Sequence, residues 1–142
     1  MKNILSTLAI LLVTFSTLSA QSVVGKWKTI DDNSGEAKSI VEIYEQNGKV
    51  YGKIIEIFNK EREDALCTEC EGADKDTPIK GMVFIRGLEK DGDEYNGGKI
   101  LDPETGTLYK CYIELEEANK LKVRGYVGFA LLGRTQYWVR AQ

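Results

Sequence analysis

Cysteine, arginine and aromatic side chains are the residues of this sequence with the clearest capacity for chemistry. Cys67 and Cys70 form a CxxC pair, a spacing used by disulfides, metal sites and redox centres. Cys111 is a third thiol, distant from the pair in sequence. The sequence contains no histidine, which excludes Ser-His-Asp and Cys-His catalysis and removes the usual zinc and haem ligand.

The CxxC pair is best explained as a structural disulfide. A redox-active pair usually stands at a helix N-terminus in a thioredoxin-like βαβ unit, and the sequence around the pair shows no such pattern. A metal site would need further ligands, for which Cys111 and a carboxylate are the candidates. We therefore predict a Cys67–Cys70 disulfide that stiffens a long loop, with metal binding and redox activity as alternatives. Cys111, on an apolar strand face, is predicted to be a buried free thiol.

The densest group of large amphipathic side chains lies in residues 121–140, LKVRGYVGFALLGRTQYWVR. One Arg inside an apolar cavity could hold the carboxylate of an amphipathic ligand, whereas stacking on aromatic rings is the alternative role. The candidate ligand-binding residues, here and on two other predicted strands, are Arg124, Tyr126, Arg134, Tyr109 and Tyr51.

Residues 1–20 have the features of a secretory signal peptide. Lys2 precedes an apolar run over residues 4–18, and the small residue Ala20 occupies the predicted cleavage position. A retained anchor is the alternative, but the run contains several Ser and Thr and is short for a span of about 20 apolar residues. We therefore predict cleavage near Ala20 and one periplasmic or secreted domain over residues 21–142. In that oxidising compartment nearby thiols pair.

Composition and motifs argue against several function classes. The formal net charge is −3 and the charges are interspersed, so nothing in the electrostatics favours nucleic acid or an anionic membrane. The sequence has no G-x-S-x-G motif, no phosphate-binding glycine loop and no identifiable pair of catalytic carboxylates. We predict no enzymatic activity, no cofactor and no metal. A small lipophilic ligand is the expected partner, without a membrane span after cleavage.

Eight β-strands account for most of the remaining chain. Asn47-Gly48 between two runs rich in Val, Ile and Tyr is a strong hairpin signal. Short turns favour pairing of sequence neighbours, so the predicted fold is all-β, a single antiparallel up-and-down eight-stranded barrel. The exception is a long loop over residues 59–78, with a short helix predicted at 60–66. The strands are predicted at residues 23–30, 39–45, 49–58, 79–88, 94–101, 107–116, 121–127 and 134–140.

Residues 128–133, GFALLG, form an apolar tip between the last two predicted strands. An exposed apolar segment of this kind can cover a cavity, contact a partner or touch lipid. We predict that the apolar tip caps the barrel. The strand before it is predicted to turn Leu121, Val123 and Val127 inward.

Two sets of residues resemble known families. Gly25 and Trp27 on the first strand, with an Arg on the last, resemble the lipocalin-type (calycin) barrel, in which the Trp closes one end and the Arg packs across its ring. The resemblance implies these roles for Gly25, Trp27 and Arg140, with Arg134 as the second choice. The segments GKWKTIDD, VYGKI, CTEC, GGKILDPETGTLYKC and LKVRGYVGFALLGRTQYWVR resemble a family of small secreted bacterial proteins, domain of unknown function 2147, in its Bacteroidetes-type branch with CxxC.

The family resemblance covers nearly the whole of residues 21–142 and implies a lipocalin-like barrel without an established activity. We therefore expect a secreted or periplasmic protein that binds a small apolar or amphipathic ligand inside the barrel. The alternative is a ligand-free interaction module of the cell envelope that acts through the Cys-containing loop and the apolar tip. The distinction depends on whether the interior is hollow, because a register shift of one residue reverses which side chains face inward.

Overall fold

A computed structural model describes residues 22–141; the predicted signal peptide lies outside this range. The described chain forms eight β-strands and two short 3-10 turns. Every strand pairs antiparallel with its sequence neighbour, and β1 pairs with β8, so the barrel is closed and the predicted fold class is confirmed. No helix within residues 22–141 has the length and apolar character needed to cross a membrane. The strands are β1 (Gly25–Ile30), β2 (Ala37–Gln46), β3 (Lys49–Ile57), β4 (Val83–Asp91), β5 (Glu94–Asp102), β6 (Thr107–Glu117), β7 (Lys120–Tyr126) and β8 (Gly133–Arg140).

Alternation along the strands, interrupted at bulges, separates an apolar interior from a largely charged exterior. On β1, Trp27 is fully buried between the exposed Lys26 and Lys28. On β6, Cys111 and Ile113 are buried on the face predicted to be apolar. This period of two is the geometric signature of a strand with one buried face, and it places the core inside the barrel.

A bulge in β4 adds one extra side chain to the interior. Gly52 of β3 pairs with Ile85, whereas Lys53 pairs with Val83, so the register shifts at this point. The extra residue, Phe84, is therefore buried together with Ile85. Gly52 permits the approach, because a Cβ there would lie 3.0 Å from the Cβ of Ile85.

The segment between β3 and β4, residues 58–82, is called the Cys loop below. Two sequence predictions are wrong here: β4 begins at Val83 instead of residue 79, and the helix predicted at 60–66 is replaced by 3-10 turns at Lys60–Arg62 and Gly72–Asp74. The cause of the late strand start is a turn: Gly81 has φ +92°, and the Ile79 N–H donates to the Ala65 carbonyl within the loop.

The Cys loop is tied to itself and to the barrel. Cys67 and Cys70 form the predicted disulfide, with 5.3 Å between their Cα atoms, and both are buried. The loop backbone packs directly on the β5–β6 turn, since a Cβ on Gly106 would collide with the Glu69 carbonyl oxygen. Gly106 is therefore required by this close contact, and the CxxC turn extends the core outside the barrel wall.

An ion pair holds the other part of the Cys loop. The Arg86 guanidinium of β4 donates two hydrogen bonds of 3.0 Å to the two carboxylate oxygens of Asp74, and its Nε donates to the Val83 carbonyl. A cleft of about 480 Å³ beside this pair is bordered by both residues. Since Asp74 already occupies the guanidinium, we assign the pair a structural role in fixing the loop.

Candidate functional site: an open cup in the barrel

The barrel is filled in one half and hollow in the other. The filled half ends at Trp27. Its interior side chains are all at most 2% exposed. None of them lines the cavity described below. These side chains belong to one contiguous core cluster that fills this half of the barrel. The residues are Val41, Ile43, Val50, Ile85, Leu88, Cys111, Ile113 and Leu121.

Trp27 and Arg140 close this end of the barrel. The guanidinium carbon of Arg140 lies 4.2 Å from the centre of the Trp27 ring, a cation–π contact, and the Trp27 Nε1–H donates to the Val23 carbonyl at 2.8 Å. The three nitrogens of the Arg140 guanidinium donate hydrogen bonds of 2.8–3.3 Å to the backbone carbonyls of Ser22, Val24 and Ala118. Arg140 thus joins the N-terminal segment to the β6–β7 turn.

Gly25 makes this closure sterically feasible. Its φ of +137° is a conformation that L side chains rarely adopt. A Cβ at this position would also lie 2.9 Å from an Arg140 Nη1 nitrogen. The Gly-x-Trp spacing therefore has a physical basis, because the glycine leaves the volume that the guanidinium occupies above the tryptophan.

The opposite end of the barrel is an open cavity of about 1090 Å³, called the cup below. Its wall is formed by the upper interior of the barrel, and its mouth by the β1–β2, β3–β4, β5–β6 and β7–β8 connections. Small-molecule sites typically measure about 300–1,000 Å³ and are mainly apolar with a few polar groups. The apolar side chains of the cup include Ile54, Phe84, Ile100, Tyr109, Val123 and Trp138.

Gly125 is the reason that the upper interior stays hollow. Leu121 and Val123 of β7 are buried, and the next inward position carries no side chain. A Cβ on Gly125 would meet Ile100 Cγ2 at 3.4 Å and Tyr109 Cβ at 3.5 Å, which locates the missing side chain inside the cup. The prediction that Val127 faces inward is wrong: β7 ends at Tyr126, and Val127 is 59% exposed.

Charged side chains surround the mouth of the cup. Lys38 lies 3.8 Å from the Asp31 carboxylate and 3.5 Å from that of Glu104, so it links the β1–β2 turn to the β5–β6 turn. Backbone N–H groups of Ser34 and Asn33 donate to Asp31 and hold the pKa of its carboxyl below the usual value. The mouth therefore carries charges of both signs, many of which already have partners.

Three of the five candidate ligand residues border the cup, and they do so in different ways. Tyr109 lies in its wall. Arg134 lies at the rim, exposed, where its guanidinium pairs with Asp32 of the β1–β2 turn. Tyr126 lies at the rim, but its ring packs against Tyr112 on the outer face, 6.3 Å between centroids.

The other two candidates lie outside the cup. Arg124 donates from Nε to the Ala130 carbonyl and from Nη1 to Thr135 Oγ1, both at 2.7 Å. Tyr51 stacks on Tyr44 with 5.7 Å between ring centres. Both side chains point outward, since they alternate with the inward-facing Gly125 and Gly52.

The apolar tip, residues 128–133, does not cap the barrel as predicted. Phe129 is 63% and Leu131 86% exposed, whereas Leu132 contributes to the lining of the cup. The tip is held from outside, where Lys110 donates to the Gly128 carbonyl at 3.0 Å and Arg124 to that of Ala130. Its apolar side chains therefore flank the mouth and leave it open.

Gln136 is a residue of the cup that the sequence prediction missed. It lies opposite Val123 in the β7–β8 register, which points it inward, and its Oε1 accepts a hydrogen bond of 3.0 Å from Trp138 Nε1. The alternation of side chains along β8 could have identified Gln136, because it lies two residues before the buried Trp138 and so shares its inward face. The predicted ligand residues were all aromatic or cationic, so the set did not include this amide.

Cys111 is a buried thiol below the cup, as predicted. Burial raises its pKa to about 12, since the apolar interior disfavours the thiolate. The thiolate is the reactive form of cysteine, so this residue is inert at neutral pH. It acts as a small apolar side chain between Gly98 and Gly125 of the neighbouring strands.

A closed eight-stranded up-and-down barrel with one filled and one open end is a lipocalin-like fold. The solved structure of protein HP1028 from Helicobacter pylori, described as belonging to the lipocalin family, superposes with a TM-score of 0.74 at 22% identity, covering 85% of this chain and 84% of that one. The chain belongs to the bacterial family DUF2147, described as an uncharacterized protein conserved in bacteria, whose sequence profile matches residues 25–140. A search of curated proteins finds no match. The fold and the family expected from the sequence are thereby confirmed.

Proposed function

We propose that this protein binds a small apolar or amphipathic molecule in the cup and that it is a binding protein without a catalytic step. The observation that carries the proposal is the cavity of about 1090 Å³ with its apolar wall and charged mouth. Binding displaces water from the apolar wall and buries the apolar part of the ligand, which supplies about 25 cal/mol per Å². Tyr109 and Arg134 remain in the proposed ligand set, whereas Tyr126, Arg124 and Tyr51, whose side chains lie on the outer face, do not.

The test is a titration with N-phenyl-1-naphthylamine, an uncharged dye whose fluorescence rises in an apolar site. We expect saturable binding at one site per chain. Gly125→Leu places a side chain inside the cup and is expected to weaken dye binding at least tenfold. The matched control is Lys122→Leu on the same strand, whose side chain lies on the outer face and is expected to leave binding unchanged.

Two results would contradict the proposal. The first is that the folded wild-type protein fails to bind the dye. The second is that Gly125→Leu and Lys122→Leu bind it as tightly as the wild type, which would locate the dye elsewhere on the surface. Circular dichroism of each variant verifies that the barrel is folded in these comparisons.

We also propose that the protein acts in the periplasm or outside the cell. The support is the charged start, apolar run and small cleavage residue within residues 1–20, together with a disulfide of the kind that oxidising compartments favour. Mass spectrometry of the protein from its native host is expected to find a mature N-terminus near Gln21. An intact N-terminus in the cytoplasmic fraction would contradict export.

A second candidate function is an interaction module of the cell envelope. The observation that favours it is the exposure of the apolar tip, where Phe129, Leu131 and Leu132 are each at least 60% exposed. A photo-crosslinking residue at Leu131 is expected to give one adduct of defined mass in native cells, whereas the same residue at the exposed Lys53 is expected to give none. Equal labelling at both positions would contradict this function.

A further inference from the structure

We propose that Gln136 selects ligands that carry an uncharged carbonyl oxygen. This inference rests on the proposed function, because it names the chemical class that the cup would take. It follows from three features of the structure: the direction of the Gln136 side chain, the fixed orientation of its amide, and the charges around it.

The register of β8 points Gln136 into the cup. Arg134, Gln136 and Trp138 share one face of the strand and descend from the rim to the floor. Gln136 lies opposite Val123, which is 3% exposed and faces inward. Its amide is therefore the polar group of β8 nearest the apolar floor, between the rim guanidinium and the buried indole.

The orientation of the Gln136 amide is set by Trp138. An indole N–H can only donate, so the atom that faces it at 3.0 Å must be the amide oxygen. The amide nitrogen then occupies the other corner of the side chain. Within residues 22–141 this nitrogen has no hydrogen-bond partner. Every buried side-chain nitrogen or oxygen in these residues does have a partner, so the Gln136 nitrogen is not buried. The nitrogen is therefore accessible from the cup, with two N–H donors free for a ligand.

The surrounding charges favour an uncharged acceptor. The nearest cation on the same face, Arg134, is already paired with Asp32 at the rim. The cup is bordered by the carboxylates of Asp31, Glu36, Asp102 and Glu104 and by the cations of Lys38, Arg62 and Arg134, so a ligand carboxylate would meet one more negative than positive charge. A charged group at the depth of Gln136 would also lose hydration against an apolar wall. A ketone, ester or amide oxygen accepts from the N–H donors without that cost.

The experiment compares three probes that share one ring system. They are 2-acetylnaphthalene, which carries a carbonyl, 2-ethylnaphthalene, which carries none, and 2-naphthoate, which carries a carboxylate. Each displaces N-phenyl-1-naphthylamine from the full mature protein. One hydrogen bond corresponds to a preference of about three- to tenfold, so the wild type is expected to bind the ketone more tightly than the hydrocarbon by that factor. The carboxylate is expected to bind most weakly.

Two variants test the role of Gln136 itself. Gln136→Leu keeps an apolar side chain of similar size but removes the donors, and it is expected to bind the ketone and the hydrocarbon equally. Gln136→Glu keeps an oxygen for the Trp138 N–H but presents a carboxylate to the ligand, and it is expected to prefer the hydrocarbon. The second variant keeps the test valid if the first does not fold.

The outcomes separate this inference from the proposed function. An unchanged ketone preference in either folded variant would overturn the role of Gln136. Equal binding of the ketone and the hydrocarbon by the wild type, or a preference for the naphthoate, would overturn the ligand class while leaving the cup as a binding site. Failure of every probe and of the dye to bind would overturn the proposed function and this inference with it.

Discussion

Each end of the barrel pairs a tryptophan with a polar side chain, but the two pairs differ in the hydrogen-bonding groups that they leave available. At the closed end, all hydrogen-bonding nitrogens of Arg140 donate to backbone carbonyls while the guanidinium covers Trp27. At the open end, Gln136 satisfies the Trp138 N–H with its oxygen, while its nitrogen has no partner among residues 22–141. Each nitrogen of Arg140 is therefore engaged by the protein itself, and the closed end is structural. The open end keeps unused hydrogen-bonding capacity beside an apolar wall, which is what ligand binding requires.

The glycines on the two ends show the same contrast. Gly25 leaves a volume that the Arg140 guanidinium fills, so the space is used by the protein itself. Gly125 leaves a volume that no side chain of the described residues fills, and this volume is part of the cup. A glycine that faces the interior of a barrel thus indicates either a tight contact or a cavity. Which of the two forms depends on whether a neighbouring side chain fills the space.

The largest expected effect comes from truncating the two tryptophans. Trp27→Ala and Trp138→Ala each remove a large buried side chain and are expected to lower the free energy of unfolding by about 3–5 kcal/mol. Their effects on binding are expected to differ: only Trp138→Ala alters the dissociation constant of the dye. Urea unfolding measures the first quantity and dye titration of the folded variants the second. A comparable change in dye binding by Trp27→Ala would break the distinction between the two ends.

The two inward arginines of β8 provide a matched pair. Arg140→Ala removes three backbone hydrogen bonds and the contact with Trp27, and is expected to cost about 2–4 kcal/mol of unfolding free energy. Arg134→Ala removes an exposed ion pair and is expected to cost less than about 1 kcal/mol. Thermal and urea unfolding measure both. Equal losses of unfolding free energy in the two variants would contradict the structural role of Arg140.

The disulfide is expected to stabilise the open end alone. Cys67→Ser with Cys70→Ser removes a short cross-link, at a cost of up to about 2 kcal/mol. Amide hydrogen exchange is expected to accelerate at Asp76 and Ile79, whose N–H groups bond within the Cys loop, and to stay unchanged at Arg140. Faster exchange at Arg140 would show that the disulfide supports the whole barrel. A reducing agent should reproduce the effect in the wild type and add nothing to the double variant.

At neutral pH the smallest effect is expected for Cys111, at the boundary between the two halves. Its folded-state pKa is raised from 9.0 to about 12, so its contribution to stability is fully present below pH 9 and is lost as pH rises toward 12. Urea unfolding of the wild type and Cys111→Ala at several pH values isolates this slope. At pH 8 the native thiol is expected to resist a thiol-specific reagent. Rapid labelling of the folded protein would place Cys111 in open contact with the cup.

Sequence reasoning predicted the closed end better than the open end. Trp27 and Arg140 are large residues in a spacing that resembles a known barrel, and strand alternation fixes their direction. The cup depends on features that carry little sequence signal: the missing side chain at Gly125, the extra inward residue Phe84 at a bulge, and the amide of Gln136. Arg124 was a plausible ligand residue by type, but the alternation that turns Gly125 inward turns it outward.

The two indole N–H groups allow the central claim to be tested in one measurement. The sequence has two tryptophans, one at each end of the barrel, so a ¹H–¹⁵N spectrum contains two indole signals, assigned with Trp27→Phe and Trp138→Phe. During titration with 2-acetylnaphthalene, the Trp138 indole and the Gln136 side-chain amide are expected to shift with one common dissociation constant, while the Trp27 indole stays in place. A shift of the Trp27 indole equal to that of Trp138, or no shift of either, would contradict a barrel that is closed at one end and binds at the other.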